Sequence, residues 1–168
     1  MPQRVRRVFE EGHRRKFLIV VDDTPEFDAA LYFAARVAQR TGGTLCFLYV
    51  VEPGDFQHWI GVEAIRREEE MDKAKALFRR ARIKLATVGC QDLEPEEVVR
   101  EGKKPEQIEQ LIEDDEDIAI LVLGAASEAE GPGPLITALV TGTRAGTFPI
   151  PIYLVPGTLS PEDIQALA

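Results

Sequence analysis

Short apolar runs alternate with amphipathic segments along this chain, and that alternation predicts strands separated by helices. The runs are rich in β-branched side chains and bounded by turn residues. The predicted strands are Phe17–Val21, Thr44–Val51, Glu97–Arg100, Ile118–Leu123 and Ile150–Val155. Runs that are apolar throughout, rather than at alternate positions, are typical of strands covered on both faces in a parallel sheet.

Helix signals fall between these runs. Thr24 and Pro25 have the chemistry of an N-cap and a first helical position, and Gly42–Gly43 ends that helix. After a loop over residues 53–61, a long amphipathic helix follows. Three further helices are predicted. The first opens at Pro105, the second runs from near Pro134 to Pro149, and the third is short and follows a cap at Ser160. The fold class is therefore α/β, a five-stranded parallel sheet with helices on both faces.

The charge is unevenly distributed. Residues 1–16 contain six basic and two acidic side chains, whereas the whole chain carries a net charge of −9. We therefore divide the chain into a flexible basic arm (1–16), one α/β domain (17–156) and a tail with a short helix (157–168). The flexible interpretation is favoured over an arm that binds an acidic partner or a membrane surface.

Composition excludes several classes of protein. The acidic balance argues against a duplex nucleic-acid binder. The longest apolar run, Ile118–Ala126, has nine residues, whereas a transmembrane helix needs about 20, so no membrane span is expected. Cys46 and Cys90 show no metal-binding or redox spacing, and the two histidines do not suggest a metal cluster. A cytoplasmic location and no metal site are expected.

Ligands of open α/β sheets bind outside the carboxyl ends of the strands, where the strand order reverses. The loops at that edge are Asp22–Pro25, Val51–Asp55 and Gly124–Pro134, with Gly102–Pro105 beside them. Candidate functional residues are therefore sought in these loops.

The same loops carry a resemblance. The run from Phe17 to Thr24, a helix and the run Leu45–Val51 resemble the start of a universal stress protein domain. Glu101–Pro105, followed by Ile118–Gly124, is similar to the Gly-x-Pro turn and fourth strand of that family. Residues 149–155 resemble its closing strand, so the resemblance spans about residues 16–156.

The resemblance implies a cytoplasmic α/β protein, commonly a dimer paired through its last strand. It places the contacts of such a dimer at Ile150, Ile152 and Leu154. One branch of the family binds ATP through a Gly-x2-Gly-x9-Gly-[Ser/Thr] motif after the fourth strand. Amides of that motif hold the phosphates, and the acidic residue after the first strand meets the ribose side.

This chain matches the motif poorly. Gly124 fills the first position, but an ungapped count places Ser127 at the second glycine and Thr137–Ala138 at the final pair. A gapped alignment would use Gly131 or Gly133 and then Gly142–Thr143. A helix that began at Gly142 would have about six residues before Pro149, too few to cross the sheet, so the ungapped alignment is preferred.

Local chemistry also disfavours a triphosphate. Pro132 and Pro134 lack backbone N–H groups where a phosphate loop needs them, and Glu128 and Glu130 add negative charge there. Lys103 and Lys104 are the obvious compensating cations.

If a nucleotide binds, the resemblance implies nine contact positions. They are Asp22, Asp23, Val51, Lys103, Gly124, Ser127, Gly131, Gly133 and Thr137. Several of them have a structural alternative. The two aspartates would also satisfy turn amides, Gly124 would also relieve crowding at a corner, and the hydroxyls would also make local contacts.

We predict a non-enzymatic universal-stress-type protein with a regulatory or protective role and little or no ATP binding. Its partners would be a second copy and an unidentified protein, with no firm cofactor. The alternative is a protein that binds ATP or AMP, with Mg, in the crevice. An enzyme is disfavoured because neither GxxxxGK[ST] nor GxSxG is present.

Overall fold

The computed structural model describes residues 5–53, 60–127, 131–141 and 144–168. Its five strands form one parallel sheet in the order β3-β2-β1-β4-β5, as the fold prediction required. The strands are β1 (Lys16–Val20), β2 (Thr44–Val51), β3 (Glu96–Glu101), β4 (Ile118–Ala125) and β5 (Ile152–Pro156). The helices are α1 (Phe27–Thr41), α2 (Ile60–Thr87), α3 (Lys104–Asp114), α4 (Pro134–Val140), α5 (Arg144–Thr147) and α6 (Pro161–Leu167).

Two hydrophobic clusters, one on each face of the sheet, form the core. Alternate residues of β1 divide between them: Phe17 and Ile19 pack in the cluster with α1 and α2, and Leu18 and Val20 pack in the cluster with α3 and α4. Both faces of the strand are buried, which explains why its sequence is apolar throughout.

Helix α1 begins later than the sequence indicates. Its N-cap is Glu26, which makes no side-chain capping bond, and Phe27 is the first helical residue. Thr24 and Pro25 lie in the preceding turn, where the Thr24 hydroxyl donates to Asp22 instead of capping the helix. The predicted cap was therefore wrong, although the predicted end at Gly42, which has a left-handed φ of 72°, is confirmed.

The crossover before β5 also differs from the prediction. A single helix from Pro134 to Pro149 was expected, but α4 ends at Val140 and α5 is a separate four-residue helix. Thr141 is extended, with ψ at 156°, and the helix stops there. Gly142–Thr143, the pair used by the gapped motif alignment, lies outside the described residues.

The described part of the basic arm is docked on the domain. Arg6 Nη1 donates to the carbonyl oxygens of Ile112, at 2.6 Å, and Asp115, at 2.8 Å, at the C-terminal end of α3. The Val8 side chain is buried. A guanidinium at this position satisfies carbonyls that the helix leaves unpaired, and it is favoured by the helix dipole.

Further ion pairs continue this attachment along the chain. Lys16 Nζ lies 2.7 Å from a carboxylate oxygen of Asp115 and 2.6 Å from one of Glu96. His13 Nδ1 lies 2.7 Å from Asp117 Oδ1. Arg6 and Lys16 therefore contact the turn at Asp115 of their own domain, and the flexibility of residues 1–16 as a whole stays a prediction.

The C-terminal segment is anchored as well. Ser160 and Asp163 form a capping box at the start of α6, in which each side chain bonds to the backbone N–H of the other residue. Ile164 is buried in the same core cluster as α1. The cap that the sequence indicated at Ser160 is confirmed.

The proposed dimer residues differ in their accessibility. Ile150 precedes β5 and is buried in the core, Ile152 is half-buried, and Leu154 is 47% exposed. Leu154 is therefore the member of this set that is free to contact a second copy, and pairing through the last strand stays a prediction. No helix in the described ranges has the length and apolar character needed to cross a bilayer.

The two cysteines are buried on opposite faces of the sheet, Cys90 with α1 and α2 and Cys46 with α3. Burial, with a smaller contribution from the charge of Glu96, raises the pKa of the Cys46 thiol from 9.0 to about 12. The folded protein therefore keeps a proton that the unfolded chain loses above about pH 9.

We expect this thiol to make the protein less stable at alkaline pH. Its stabilising contribution is complete below about pH 9 and is lost as the pH rises towards about 12, at up to roughly 1.4 kcal/mol per pH unit. Urea unfolding between pH 8 and 11 should show a shallower decline in Cys46→Ala than in the wild type. Other alkaline groups titrate in both proteins, so parallel declines would contradict the prediction.

Candidate functional site

The strand order reverses between β1 and β4, so a crevice forms where these strands end. The loop after β1 and the loop after β4 border it. Two adjoining cavities of about 130 and 680 Å³ lie here, and both are lined by Thr24, Glu26, Gly133 and Pro134. The larger volume is within the range of small-molecule sites, roughly 300–1,000 Å³.

Six of the nine sequence-predicted positions line this crevice. Asp22 and Gly124 line the smaller cavity, Ser127, Gly131 and Thr137 line the larger one, and Gly133 lines both. The structure therefore brings together most of the residues that the resemblance placed around a ligand.

Three predicted positions lie elsewhere. Val51 ends β2 as a buried residue, and its carbonyl oxygen accepts a hydrogen bond from the Gly102 N–H at 2.9 Å. Lys103 is exposed at the N-cap of α3 and lines neither crevice cavity. Asp23 lines neither crevice cavity but a third cavity of about 210 Å³ between the loop after β1 and α2, which Asp22 and Thr24 also line.

The Asp23 carboxylate also acts on the ionisation of Tyr49 in β2. Burial and the 2.6 Å hydrogen bond that Tyr49 donates to Glu70 raise the pKa of Tyr49, and the charge of Asp23 acts in the same direction. Asp23 thus faces α2 and its neighbours.

Asp22 is engaged by its own turn. Its Oδ1 accepts hydrogen bonds from the Thr24 N–H, at 2.9 Å, and from the Thr24 hydroxyl, at 2.6 Å. This is an Asx turn, in which a short carboxylate replaces a backbone acceptor. Of the two roles considered for Asp22, the structure therefore shows the turn contact.

Gly124 is in contact with the backbone of the β1 loop. A β-carbon built on Gly124 would lie 2.3 Å from the carbonyl oxygen of Glu26, far inside van der Waals distance. A β-carbon on Gly157, just after β5, would lie 2.8 Å from Glu26 Cβ. Both glycines are thus required by close packing of the protein on itself.

Internal hydrogen bonds join described residues of the loop after β4 and of the first turn of α4. The Ala126 N–H donates to the Pro132 carbonyl at 3.0 Å. The N–H and the hydroxyl of Thr137 both donate to the Gly133 carbonyl, at 3.1 and 3.0 Å. Gly131 and Gly133 have positive φ values of 104° and 118°, which suit glycine in a turn. Glu128 and Glu130 lie outside the described residues.

The sequence analysis missed Glu26 and Gly157 as crevice residues, and it named Lys104 as a compensating cation but not as a contact position. Glu26 was assigned to α1 because Thr24–Pro25 has the chemistry of a helix start. Lys104, not its neighbour Lys103, lines the smaller cavity. Gly157 was assigned to the tail, although it lines the larger cavity. The dipeptide Pro156–Gly157 directly after a strand was the signal for a turn at this edge.

The described residues that line the crevice carry a net negative charge. Asp22 and Glu26 contribute carboxylates, and Lys104 contributes the one cation among the described lining residues. Lys104 is half-buried in the first turn of α3. Within the described ranges, no group of three or more His, Cys, Asp or Glu side chains is placed to hold a metal ion.

Solved structures share this fold. Universal stress protein UspA from Lactobacillus plantarum is 22% identical, with a TM-score of 0.65 over 84% of this chain and 97% of that one. A universal stress protein from Archaeoglobus fulgidus in complex with dAMP is 17% identical, with a TM-score of 0.58 over 84% and 97%. Another universal stress protein, in complex with cAMP, is 13% identical, with a TM-score of 0.58 over 86% and 98%.

No curated protein matches the chain in sequence. The model of the universal stress protein family, in contrast, matches residues 13–156, which include all five strands and the whole crevice apart from Gly157. This chain belongs to the universal stress protein family.

Proposed function

We propose that this protein is a non-enzymatic member of its family, with a regulatory or protective role and little or no affinity for ATP. The observation that carries the proposal is the contact between Glu26 and Gly124. In a phosphate site, the first motif glycine would leave room for a ligand to approach the backbone. Here the backbone of the β1 loop takes up that room.

The remaining backbone groups support the same proposal. A phosphate loop needs N–H groups that point freely at the anion. Pro132 and Pro134 have none, the Ala126 N–H donates to the Pro132 carbonyl within the loop, and α4 has only seven residues. Together with the acidic lining, this leaves a triphosphate few donors to replace its hydration.

The alternative function is nucleotide binding, with ATP or AMP and Mg. The larger cavity favours it, because about 680 Å³ is sufficient for a nucleotide, and the exposed Ser127 and half-buried Lys104 offer polar contacts. Fold relatives have been solved with dAMP and cAMP. A monophosphate would place less charge beside Glu26 than a triphosphate would.

Calorimetric titration of the wild-type protein distinguishes these functions. With ATP and magnesium we expect no binding heat, because Pro132 and Pro134 supply no N–H donor and the described residues that line the crevice carry a net negative charge. A dissociation constant at or below about 10 μM, equivalent to about −7 kcal/mol, would contradict the proposal. A parallel titration with AMP tests the alternative: binding of AMP in that range would establish a nucleotide site and would likewise overturn the nucleotide-free function.

A further inference from the structure

Glu26 lines both crevice cavities and packs against two glycines from other parts of the sheet. It is the N-cap of α1, directly beside the ends of β4 and β5, and it lines both cavities. Its carbonyl oxygen packs against Gly124, and its β-carbon packs against Gly157. Glu26, from the loop after β1, is thus packed between Gly124, near the end of β4, and Gly157, which follows β5.

The backbone at this position is held in place. Glu26 has helical dihedral angles, with φ at −72° and ψ at −14°. Its carbonyl oxygen accepts from the Ala30 N–H at 3.4 Å, and Phe27 N–H donates to the Thr24 carbonyl at 3.3 Å. The contact with Gly124 restricts it further. The Glu26 side chain is therefore carried by a backbone segment that is fixed at the wall of the crevice.

No described residue forms an ion pair with Glu26. Within the described ranges, no hydrogen bond or ion pair joins its side chain to a cation, and the half-buried Lys104 lines only the smaller cavity. The larger cavity has Glu26 as its charged lining residue among those described. The Glu26 charge would repel an anion in that cavity. This repulsion is screened less in a partly buried cavity than in bulk water.

We propose that Glu26 is a specificity-determining residue that keeps di- and triphosphate groups out of the crevice. This inference rests on the proposed function and assigns its selectivity to one side chain. The larger cavity then accepts ligand groups that are uncharged or cationic. The backbone contacts of Glu26 close the space beside Gly124, and its carboxylate supplies the charge selection.

Glu26→Gln tests the charge selection while it keeps the shape of the side chain and the packing on both glycines. The probes are inorganic tripolyphosphate and ATP with magnesium, titrated to millimolar concentration and followed by phosphorus NMR line shapes. We expect at least a tenfold gain in affinity over the wild type, and we expect added potassium chloride to reduce this gain. Glu26→Ala, which also removes the carboxylate, should show the same direction if Glu26→Gln folds poorly.

The matched control is Glu52→Gln. Glu52 follows β2 at the same edge of the sheet, is exposed and lines neither crevice cavity. Glu52→Gln therefore changes the net charge by the same amount as Glu26→Gln without altering the crevice. If both Glu26 variants bind tripolyphosphate no better than Glu52→Gln, the inference is wrong. This test compares the affinity of each variant with that of the wild type. Its result is therefore distinct from the wild-type titration that decides the proposed function.

Discussion

Gly124→Ala should destabilise the protein by about 3 kcal/mol, near the upper end of the usual cost of overpacking. The added methyl group would lie 2.3 Å from the Glu26 carbonyl oxygen and 2.8 Å from its carbonyl carbon. These are backbone atoms at the start of a helix, so they cannot rotate away as a side chain would. Relief requires α1 and β4 to move apart. Urea unfolding at neutral pH measures the loss.

Gly146→Ala is the control for Gly124→Ala. Gly146 lies in α5, is exposed, and a β-carbon built there would meet nothing within 4 Å. Alanine is the better helix former by roughly 1 kcal/mol at most, so this variant should be as stable as the wild type or slightly more stable. Equal stability of the two variants would refute the close contact between Glu26 and Gly124.

Phe47→Ala should cost about 3–5 kcal/mol of unfolding free energy. Phe47 lies in β2, between β1 and β3, and its side chain is fully buried. Its ring stacks on that of Phe78 from α2, with centroids 6.2 Å apart and planes at 14°. Truncation removes this contact and leaves a cavity between the sheet and α2 that rigid neighbours fill only in part.

Phe9→Ala is the corresponding control, because it makes the same chemical change at a side chain that is 87% exposed. Its free energy of unfolding should lie within about 0.5 kcal/mol of the wild type. Denaturant unfolding of both variants provides the comparison, with one m value (the slope of unfolding free energy against denaturant concentration) used for both. A small loss for Phe47→Ala would mean that β2 and α2 do not pack as described.

Strands were the most predictable part of this fold. β2 was predicted residue for residue, because Thr44–Val51 is apolar, rich in β-branched side chains and preceded by a glycine pair. β1, β3, β4 and β5 were each predicted to within two residues at either end. The parallel arrangement followed from strands that alternate with helices, since each crossover must cover a face of the sheet.

Helix boundaries at the crevice were less predictable. Thr24–Pro25 has the composition of a helix start, yet the Asx turn at Asp22 uses the Thr24 hydroxyl and delays α1 to Phe27. That delay places Glu26, rather than a helical side chain, at the crevice. Local propensity could not reveal this, because the turn and the cap compete for the same hydroxyl group.

The arm shows a similar limit. Composition described residues 1–16 as basic, and that is correct, but it could not identify an intramolecular partner. Arg6 reaches carbonyl oxygens of Ile112 and Asp115, more than a hundred positions away along the chain. Whether a charged segment is free depends on which unpaired groups the folded domain brings near it.

By itself, the sequence determined the fold class, the order of elements, the edge that carries the crevice and the poor match to a phosphate-binding motif. These depend on periodicity, turn chemistry and spacing, all of which act over a few neighbouring residues. Tertiary structure alone decided that Glu26 packs on Gly124 and Gly157 and that Lys104, not Lys103, lines the crevice. Such contacts join distant segments, and their sub-ångström fit is set by the packing of the sheet and its helices as a whole.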